Sequence, residues 1–276
     1  MNLSIFKSKF VFLFCFTFLF FSCSEDDTTD ETINETPEFS QEDTQRAAQV
    51  DQVFEGTLNI METAYAEEEE GRANSFFPPC AVLTISQQGE NFELIIDFGD
   101  GCTLPNGAFV TGTVLLTYGP IQNNTRIIDY VFEEYTYNEH PVSGGGQIER
   151  LFENQNGNPQ STVNETITVG FPDSSITATR TGFRVAEWVE GVGSGTWFDN
   201  VFHITGNWDT VFSNGFNRAG EVMETLVKKA NCAIFVSGSI DITQDGLSAT
   251  LDYGDGTCDN IVTLIINGVE YTIIIG

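Results

Sequence analysis

Four cysteines have the spacing that most directly suggests a chemical role. Cys80 and Cys102 bracket one strand–turn–strand pattern, and Cys232 and Cys258 bracket a second one. A hairpin folded about Asp245-Gly246 places Cys232 next to Cys258, whereas one about Gly89-Glu90 needs a bulge or looser turn to bring Cys80 to Cys102. We expect the disulfides Cys80–Cys102 and Cys232–Cys258. Four cysteines allow three pairings, and the other two stay open at this point. A zinc site is the alternative, although the C-x₂-C pairs typical of zinc sites are absent.

Each segment ends in an Asp-aromatic-Gly-Asp-Gly motif that could hold a cation. The carboxylates are those of Asp97 and Asp100 in the first segment and of Asp252 and Asp255 in the second. Carboxylates next to glycines can wrap Ca²⁺, which takes about 6–8 oxygen ligands. Aspartate and glycine are also the residues that tight turns need, and neither loop has EF-hand spacing. We therefore predict no metal site, with calcium at these four aspartates as the alternative.

Other polar and aromatic residues are weaker candidates for catalysis or sugar binding. The chain has two histidines and no G-x-S-x-G motif. Glutamates could supply the carboxylate pair of a glycosidase, and aromatic residues could stack on sugars, although they normally pack in cores. We predict no catalytic residue and no cofactor. The residues considered are His140 and His203; Glu133, Glu134, Glu187 and Glu190; and Trp188, Trp197, Trp208, Tyr130, Tyr135 and Tyr137.

One helix precedes the two cysteine segments. Apolar residues recur at spacings of three and four, the period of an amphipathic helix, and Gly71 marks a stop. The pattern predicts a helix over residues 43–71, weakened by Gly56 near its middle. We expect its apolar stripe to pack on the rest of the protein. The stripe consists of Val50, Val53, Phe54, Leu58, Met61 and Tyr65.

Residues 72–276 are predicted to form antiparallel β-structure. Apolar and polar residues alternate with period two, and the segments number roughly 12–14. No helical stretch long enough for a parallel crossover separates them. We expect a mobile loop at residues 143–146, and cover on both faces of the apolar run Tyr271–Ile275. Tight hairpin turns are predicted at Asn106-Gly107, Asn156-Gly157, Asn214-Gly215, Asp245-Gly246 and Asn267-Gly268.

These patterns together predict a mainly β fold. We expect a large antiparallel meander in a curved, partly closed sheet, with a two-sheet sandwich as the alternative, and one N-terminal α-helix. Residues 80–118 and 232–276 share the strand–turn–strand pattern with its closing motif and form an internal repeat.

The first residues have the features of a lipoprotein signal peptide, assigned to residues 1–22. Two lysines precede the apolar run 10–21, which is too short to be a good membrane-spanning helix. The following Phe-Ser-Cys resembles a bacterial lipobox, and this resemblance implies lipidation of Cys23. The acidic run directly after it resembles the signal that exports Bacteroidota lipoproteins to the outer face of the outer membrane. Residues 23–42 are polar and acidic, so we predict a flexible tether.

The charge of the chain excludes one class of partner. The formal net charge is −29, and without residues 1–22 nine basic residues face 40 acidic ones, a net charge of −31. Such a chain cannot bind nucleic acid through its phosphates, because that binding depends on Lys and Arg displacing counterions. The expected partners are the membrane, through the lipid anchor, and a glycan or an envelope protein.

The whole chain resembles an uncharacterised family of Bacteroidota, flavobacterial-type outer-membrane or surface lipoproteins with paired D-[FY]-G-D-G…C motifs. The resemblance covers about residues 20–276, and its most specific part is the motif Leu251–Asn260. It implies a lipid-anchored outer-membrane protein facing the cell surface, with the periplasmic leaflet as the alternative. The expected function is a non-catalytic binding or structural module. A carrier of an apolar or lipid ligand is the alternative, and a hydrolase is a remote one.

Overall fold

The computed structural model describes residues 41–70, 76–196, 198–232 and 234–274. The predicted signal peptide and residues 23–40 of the predicted tether, with Cys23, lie outside the described residues, as do Gly71, Trp197 and Ile275. Residues 41 and 42, which were also assigned to the tether, instead form the start of the helix. The described part contains one helix, α1 (Gln41–Glu70), close to the predicted 43–71.

The strands form a single antiparallel sheet that runs in chain order. The short strand β3 pairs with β4 beside this path, and β2 also pairs with β4. The mainly β class and the meander are therefore confirmed, and the two-sheet alternative is wrong. Strands β1 and β14 are the two edges of the sheet. The strands are β1 (Val82–Gln88), β2 (Asn91–Asp97), β3 (Cys102–Thr103), β4 (Phe109–Tyr118), β5 (Thr125–Tyr137), β6 (His140–Leu151), β7 (Gln160–Gly170), β8 (Thr177–Glu190), β9 (Val201–Phe212), β10 (Asn217–Lys229), β11 (Ser237–Gln244), β12 (Leu247–Asp255), β13 (Ile261–Ile266) and β14 (Val269–Ile274).

All five predicted Asn-Gly or Asp-Gly turns join consecutive strands. At Asp245-Gly246 the φ angles are 46° and 80°, and at Asn267-Gly268 they are 51° and 77°. Positive φ at both central residues is what a type I′ hairpin requires. In the other three turns only the glycine has a positive φ, so these turns are confirmed in position but are of another type.

The prediction of a mobile loop at residues 143–146 is wrong. All four residues lie inside β6 and pair with β7, and Gly145 and Gly146 also pair with β5. A Cβ atom on Gly146 would lie 2.4 Å from the carbonyl oxygen of Asn164 and 2.6 Å from the hydroxyl of Tyr130. Glycine is needed here because the Tyr130 side chain lies against the backbone of β6.

Helix α1 lies on the concave face of the sheet and is surrounded by it. The predicted stripe is buried, and every residue from Val53 to Glu69 is buried or half-buried. Arg126 of β5 donates a hydrogen bond to the hydroxyl of Tyr65 (3.1 Å), and Gln244 of β11 donates one to Thr44 (2.7 Å). Since strands this far apart in the sheet reach one helix, the sheet must curve around it.

The expectation that the last strand is covered on both faces is wrong. In β14 only Ile273 is half-buried and the other residues are exposed, with Tyr271 at 51% and Ile274 at 77%. The meander places β14 at the edge of the sheet. Among the described residues, the one helix is already enclosed by other strands.

The position of Gly56 gives a first prediction. A Cβ atom there would lie 2.2 Å from Cζ of the Tyr137 ring, and Tyr137 is 3% exposed. Helix propensity alone would favour Gly56→Ala by about 1 kcal/mol. We expect instead that Gly56→Ala lowers the free energy of unfolding by about 1–3 kcal/mol, because the ring must leave a packed site.

Urea denaturation measures this effect, and a Tyr137→Leu background is the control. Without the ring, Gly56→Ala should become neutral or stabilising. A stabilising effect of Gly56→Ala in the parent chain would contradict the close approach.

Candidate functional site

The concave face of the sheet carries five arginines directed at α1, here called the interior arginines. Their side chains are 5–12% exposed. The two in β8, Arg180 and Arg184, are separated from the buried residues Ala178 and Ala186 by even numbers of residues. They therefore lie on the same, inner face of the strand. Each interior arginine pairs with at least one carboxylate of α1. The pairs are Arg126–Glu68 (3.5 Å), Arg150–Glu69 (3.1 Å), Arg180–Asp51 (2.6 Å), Arg184–Glu55 (3.3 Å), Arg184–Glu62 (3.1 Å) and Arg218–Asp51 (2.9 Å).

Arg180 is the centre of the most buried group of these charges. Its Nε donates to Oε1 of Glu165 on β7 at 2.9 Å, and its Nη1 donates to Oδ1 of Asp51 at 2.6 Å. The guanidinium carbon lies 4.2 Å from the ring centroid of Phe54 and 4.5 Å from that of Trp208. Ion pairing and cation–π contact therefore both hold this side chain in place.

A cavity of about 70 Å³ lies next to this group, between α1 and strands β7 to β12. Four polar atoms of its lining are buried without a hydrogen-bond partner. A cavity of this size has room for a few water molecules, whereas pockets for drug-sized ligands measure about 300–1,000 Å³. The cavity therefore suits water or a very small polar molecule. The four atoms are Oε2 of Glu165, Nε of Arg184, Nε of Arg218 and Nε1 of Trp208.

Burial raises the pKa of Glu165 to about 7, although the adjacent Arg180 favours the ionised form. In the unfolded chain a glutamate titrates near its ordinary value of about 4.3. Between these two values the folded protein holds a proton that the unfolded chain has released. The free energy of unfolding therefore falls as the pH rises through this range.

We expect Glu165→Gln to remove this pH dependence. Relative to the parent, the variant should gain stability as the pH is raised from 5 to 8, measured by urea denaturation at each pH. Glu187→Gln is the matched control, because hydrogen bonds from Asn154, Asn156 and Asn158 lower the pKa of Glu187. Parallel stability profiles for Glu165→Gln and the parent would contradict the prediction.

The four cysteines form the two expected disulfides, Cys80–Cys102 and Cys232–Cys258. The Cα atoms are 5.4 Å and 5.5 Å apart, within the usual range for a disulfide. The zinc alternative is therefore wrong. The first bond ties the segment before β1 to β3, and the second ties the segment after β10 to the segment after β12.

Of the four candidate calcium ligands, Asp97 ends β2, Asp100 lies in the turn that follows it, and Asp252 and Asp255 lie in the last part of β12. Oδ1 of Asp97 accepts a hydrogen bond from the N–H of Gly99, and Oδ1 of Asp252 accepts one from Gly254, both at 2.8 Å. Asp255 accepts bonds from the N–H and hydroxyl of Thr257, and Asp100 is exposed. In the described part of the chain, no group of three or more His, Cys, Asp or Glu residues is placed to hold a metal ion.

The histidines and aromatic residues are placed in different parts of the fold. Nδ1 of His140 lies 3.0 Å from the carbonyl oxygen of Gly170. His203 is exposed and lies opposite Glu187 in the β8–β9 ladder. Glu133, Glu134 and Glu190 are exposed in β5 and β8. Trp188, Tyr130 and Tyr135 are at most 5% exposed and Tyr137 is 3% exposed, so these side chains belong to the core and do not form a surface platform for sugars.

The terminal hairpin, β13–β14, is an exposed apolar surface that sequence reasoning missed. Six register pairs join its two strands without a shift. Its exposed apolar residues lie on both faces of the sheet edge, and exposed apolar residues grouped at one edge mark a candidate interaction site. They are Ile261 (48%), Val269 (52%), Tyr271 (51%) and Ile274 (77%).

Comparison of the chain with protein-family models, with curated proteins and with solved structures gave no match. Of the helical segments that the structure describes, none is both long and apolar enough to cross a membrane.

Proposed function

We propose that this protein is a lipid-anchored lipoprotein of the outer membrane, facing the cell surface, that works as a non-catalytic binding or structural module. The lipobox ending in Cys23, the acidic run after it and the resemblance of residues 20–276 to Bacteroidota surface lipoproteins support the location. The ligand that we favour is a protein of the envelope.

The observation that carries this proposal is the position of α1. The helix occupies the concave face of the sheet, and its carboxylates pair with the interior arginines. The outer face of the sheet and its edges are then the surfaces through which a partner can be bound. A protein ligand fits better than a glycan, because the aromatic residues suited to stacking on sugars are mostly in the core and the exposed apolar surface lies along a strand edge.

The carrier alternative needs more room than the cavity beside α1 offers. At about 70 Å³ this cavity is well below the size of a ligand pocket, so an acyl chain could enter only if α1 left the concave face. Leaving would break six ion pairs whose arginines are almost completely buried, which is strongly unfavourable.

Radiolabelled palmitate tests the anchor, and protease added to intact cells tests the orientation. We expect label in the parent chain, no label in Cys23→Ser, and release of the Cys23→Ser variant from the membrane fraction. We also expect digestion of the parent on intact cells, with a periplasmic protein as the protected control. Equal labelling or equal release of parent and variant would refute the anchor, and protection on intact cells would refute the surface location.

A further inference from the structure

Strand β14 ends the sheet with one side of its backbone unpaired. It pairs with β13 alone, and in the described part of the chain no strand lies on its other side. Proteins usually protect such an edge with lysine, proline or a bulge. Residues 269–274 contain one charged residue, Glu270, but neither lysine nor proline, and the β13–β14 register has no shift. The edge therefore presents free N–H and C=O groups beside exposed apolar side chains.

The charge around this edge selects the kind of partner. Residues 230–276 contain six acidic residues and no basic one. Two copies of this chain paired through β14 would join two strands that each carry Glu270, in chains that are both strongly negative, which is unfavourable. A strand that carries Lys or Arg has the complementary charge. The acidic residues are Asp241, Asp245, Asp252, Asp255, Asp259 and Glu270.

The other basic residues that the structure describes also favour a cationic partner, because their charges are already paired within the chain. The interior arginines are paired with α1, and Arg46 is paired with Glu42 and Asp43 within the helix. Lys228 donates to the carbonyl oxygen of Cys232, and Lys229 to that of Gly256. Since the described basic groups are held by this chain, the field outside it is negative and attracts cationic partners.

We propose that β14 is a docking edge for an extended segment of a second protein, which adds a strand to the sheet and carries Lys or Arg around an apolar centre. This is strand addition, in which backbone hydrogen bonds give affinity and side chains give specificity. The inference rests on the proposed function in one respect, namely that the protein acts by binding a partner and not by catalysis.

Three synthetic peptides test the proposal against the purified full chain. The first alternates Val and Thr over seven residues with Lys at both ends. The second has Glu in place of the two Lys, and the third is the first with N-methyl groups at alternate residues along one edge. Fluorescence anisotropy should show the Lys peptide binding at least tenfold more tightly than each of the others. Equal binding of the Lys and Glu peptides, or of the Lys and N-methylated peptides, would overturn the proposal, as would no binding of the Lys peptide.

Two variants assign the binding to β14. Tyr271→Lys should weaken binding of the Lys peptide at least tenfold, whereas Ile85→Lys, at the 52% exposed position on edge strand β1, should leave it unchanged. The melting temperature of each variant checks that the fold is retained. The reverse result would place the binding at β1 and overturn the proposal.

Glu270→Lys distinguishes a basic partner from a second copy. It should weaken binding of the Lys peptide if the partner is basic. If light scattering instead shows dimers of the parent that Tyr271→Lys dissociates, a second copy occupies the edge and the proposal is wrong. The anchor experiments with Cys23 are independent, so either proposal can fail alone.

Discussion

Replacing Arg180 with methionine should lower the free energy of unfolding by about 3–5 kcal/mol, the cost of breaking a buried ion pair by removing one partner. Arg180 is 4% exposed, and its Nε is the hydrogen-bond donor to Oε1 of Glu165. Asp51 keeps Arg218 at 2.9 Å, so the loss falls mainly on Glu165. Urea denaturation at pH 8, above the pKa of Glu165, measures the change.

The double variant Arg180→Met/Glu165→Leu is the control for this experiment. It removes both charges and should recover much of the lost stability, because apolar residues often replace a buried ion pair without loss. The cost of Arg180→Met should also be larger at pH 8 than at pH 5, since Glu165 can take up a proton at the lower pH. A double variant as unstable as the single one at every pH would show that packing, and not charge, explains the effect.

Removing the Cys232–Cys258 disulfide should lower the free energy of unfolding by about 3 kcal/mol. The bond spans 26 residues and holds the segment after β10 against the segment after β12. Its loss gives the unfolded chain more conformational freedom, which favours unfolding. The double replacement of both cysteines by alanine avoids an unpaired thiol, and urea denaturation measures its stability.

The Cys80–Cys102 disulfide provides the comparison. Its separation of 22 residues is similar, so the chain-entropy argument predicts nearly the same loss of about 3 kcal/mol for its double alanine variant. Reducing agent added to the parent should produce the sum of both effects. A parent whose stability does not respond to reduction would contradict the prediction.

The sequence was sufficient for the parts of the fold that depend on local patterns. The stripe from Val50 to Tyr65 predicted a helix and its buried face, because both follow from a period of 3.6 residues. The Asn-Gly and Asp-Gly dipeptides predicted hairpins, because few residues accept the required positive φ. Both disulfides were predictable because each one closes a single local segment.

The interior arginines were missed because a charged residue in a strand normally indicates the solvent face. A signal was present, since Arg180 and Arg184 have the same parity as buried Ala178 and Ala186. The acidic residues of α1 were the second half of that signal. Pairing these arginines with the acidic residues of α1 requires knowing that β8 lies against α1. Period-two patterns carry no information on such distant contacts.

The last strand was predicted to be covered on both faces because its residues are apolar on both faces, but the fold leaves it exposed. An apolar strand such as β14 is normally buried on both faces. In this fold α1 is enclosed by strands nearer the middle of the sheet, and β14 remains outside. Local sequence shows that such a strand favours cover, but not whether its own chain provides it.

The enclosure of α1 also bears on how the chain can reach its folded state. The strands pair with near neighbours in sequence, so each pairing closes a short loop, whereas Asp51 meets Arg180 across 129 residues and Thr44 meets Gln244 across 200. The entropy of closing long loops is therefore concentrated in the docking of α1. Because synthesis proceeds from the N-terminus, the helix is synthesised first. All five interior arginines that pair with it are present only after β10 has been synthesised. Until then its carboxylates remain hydrated, and the docking of α1 removes them from water.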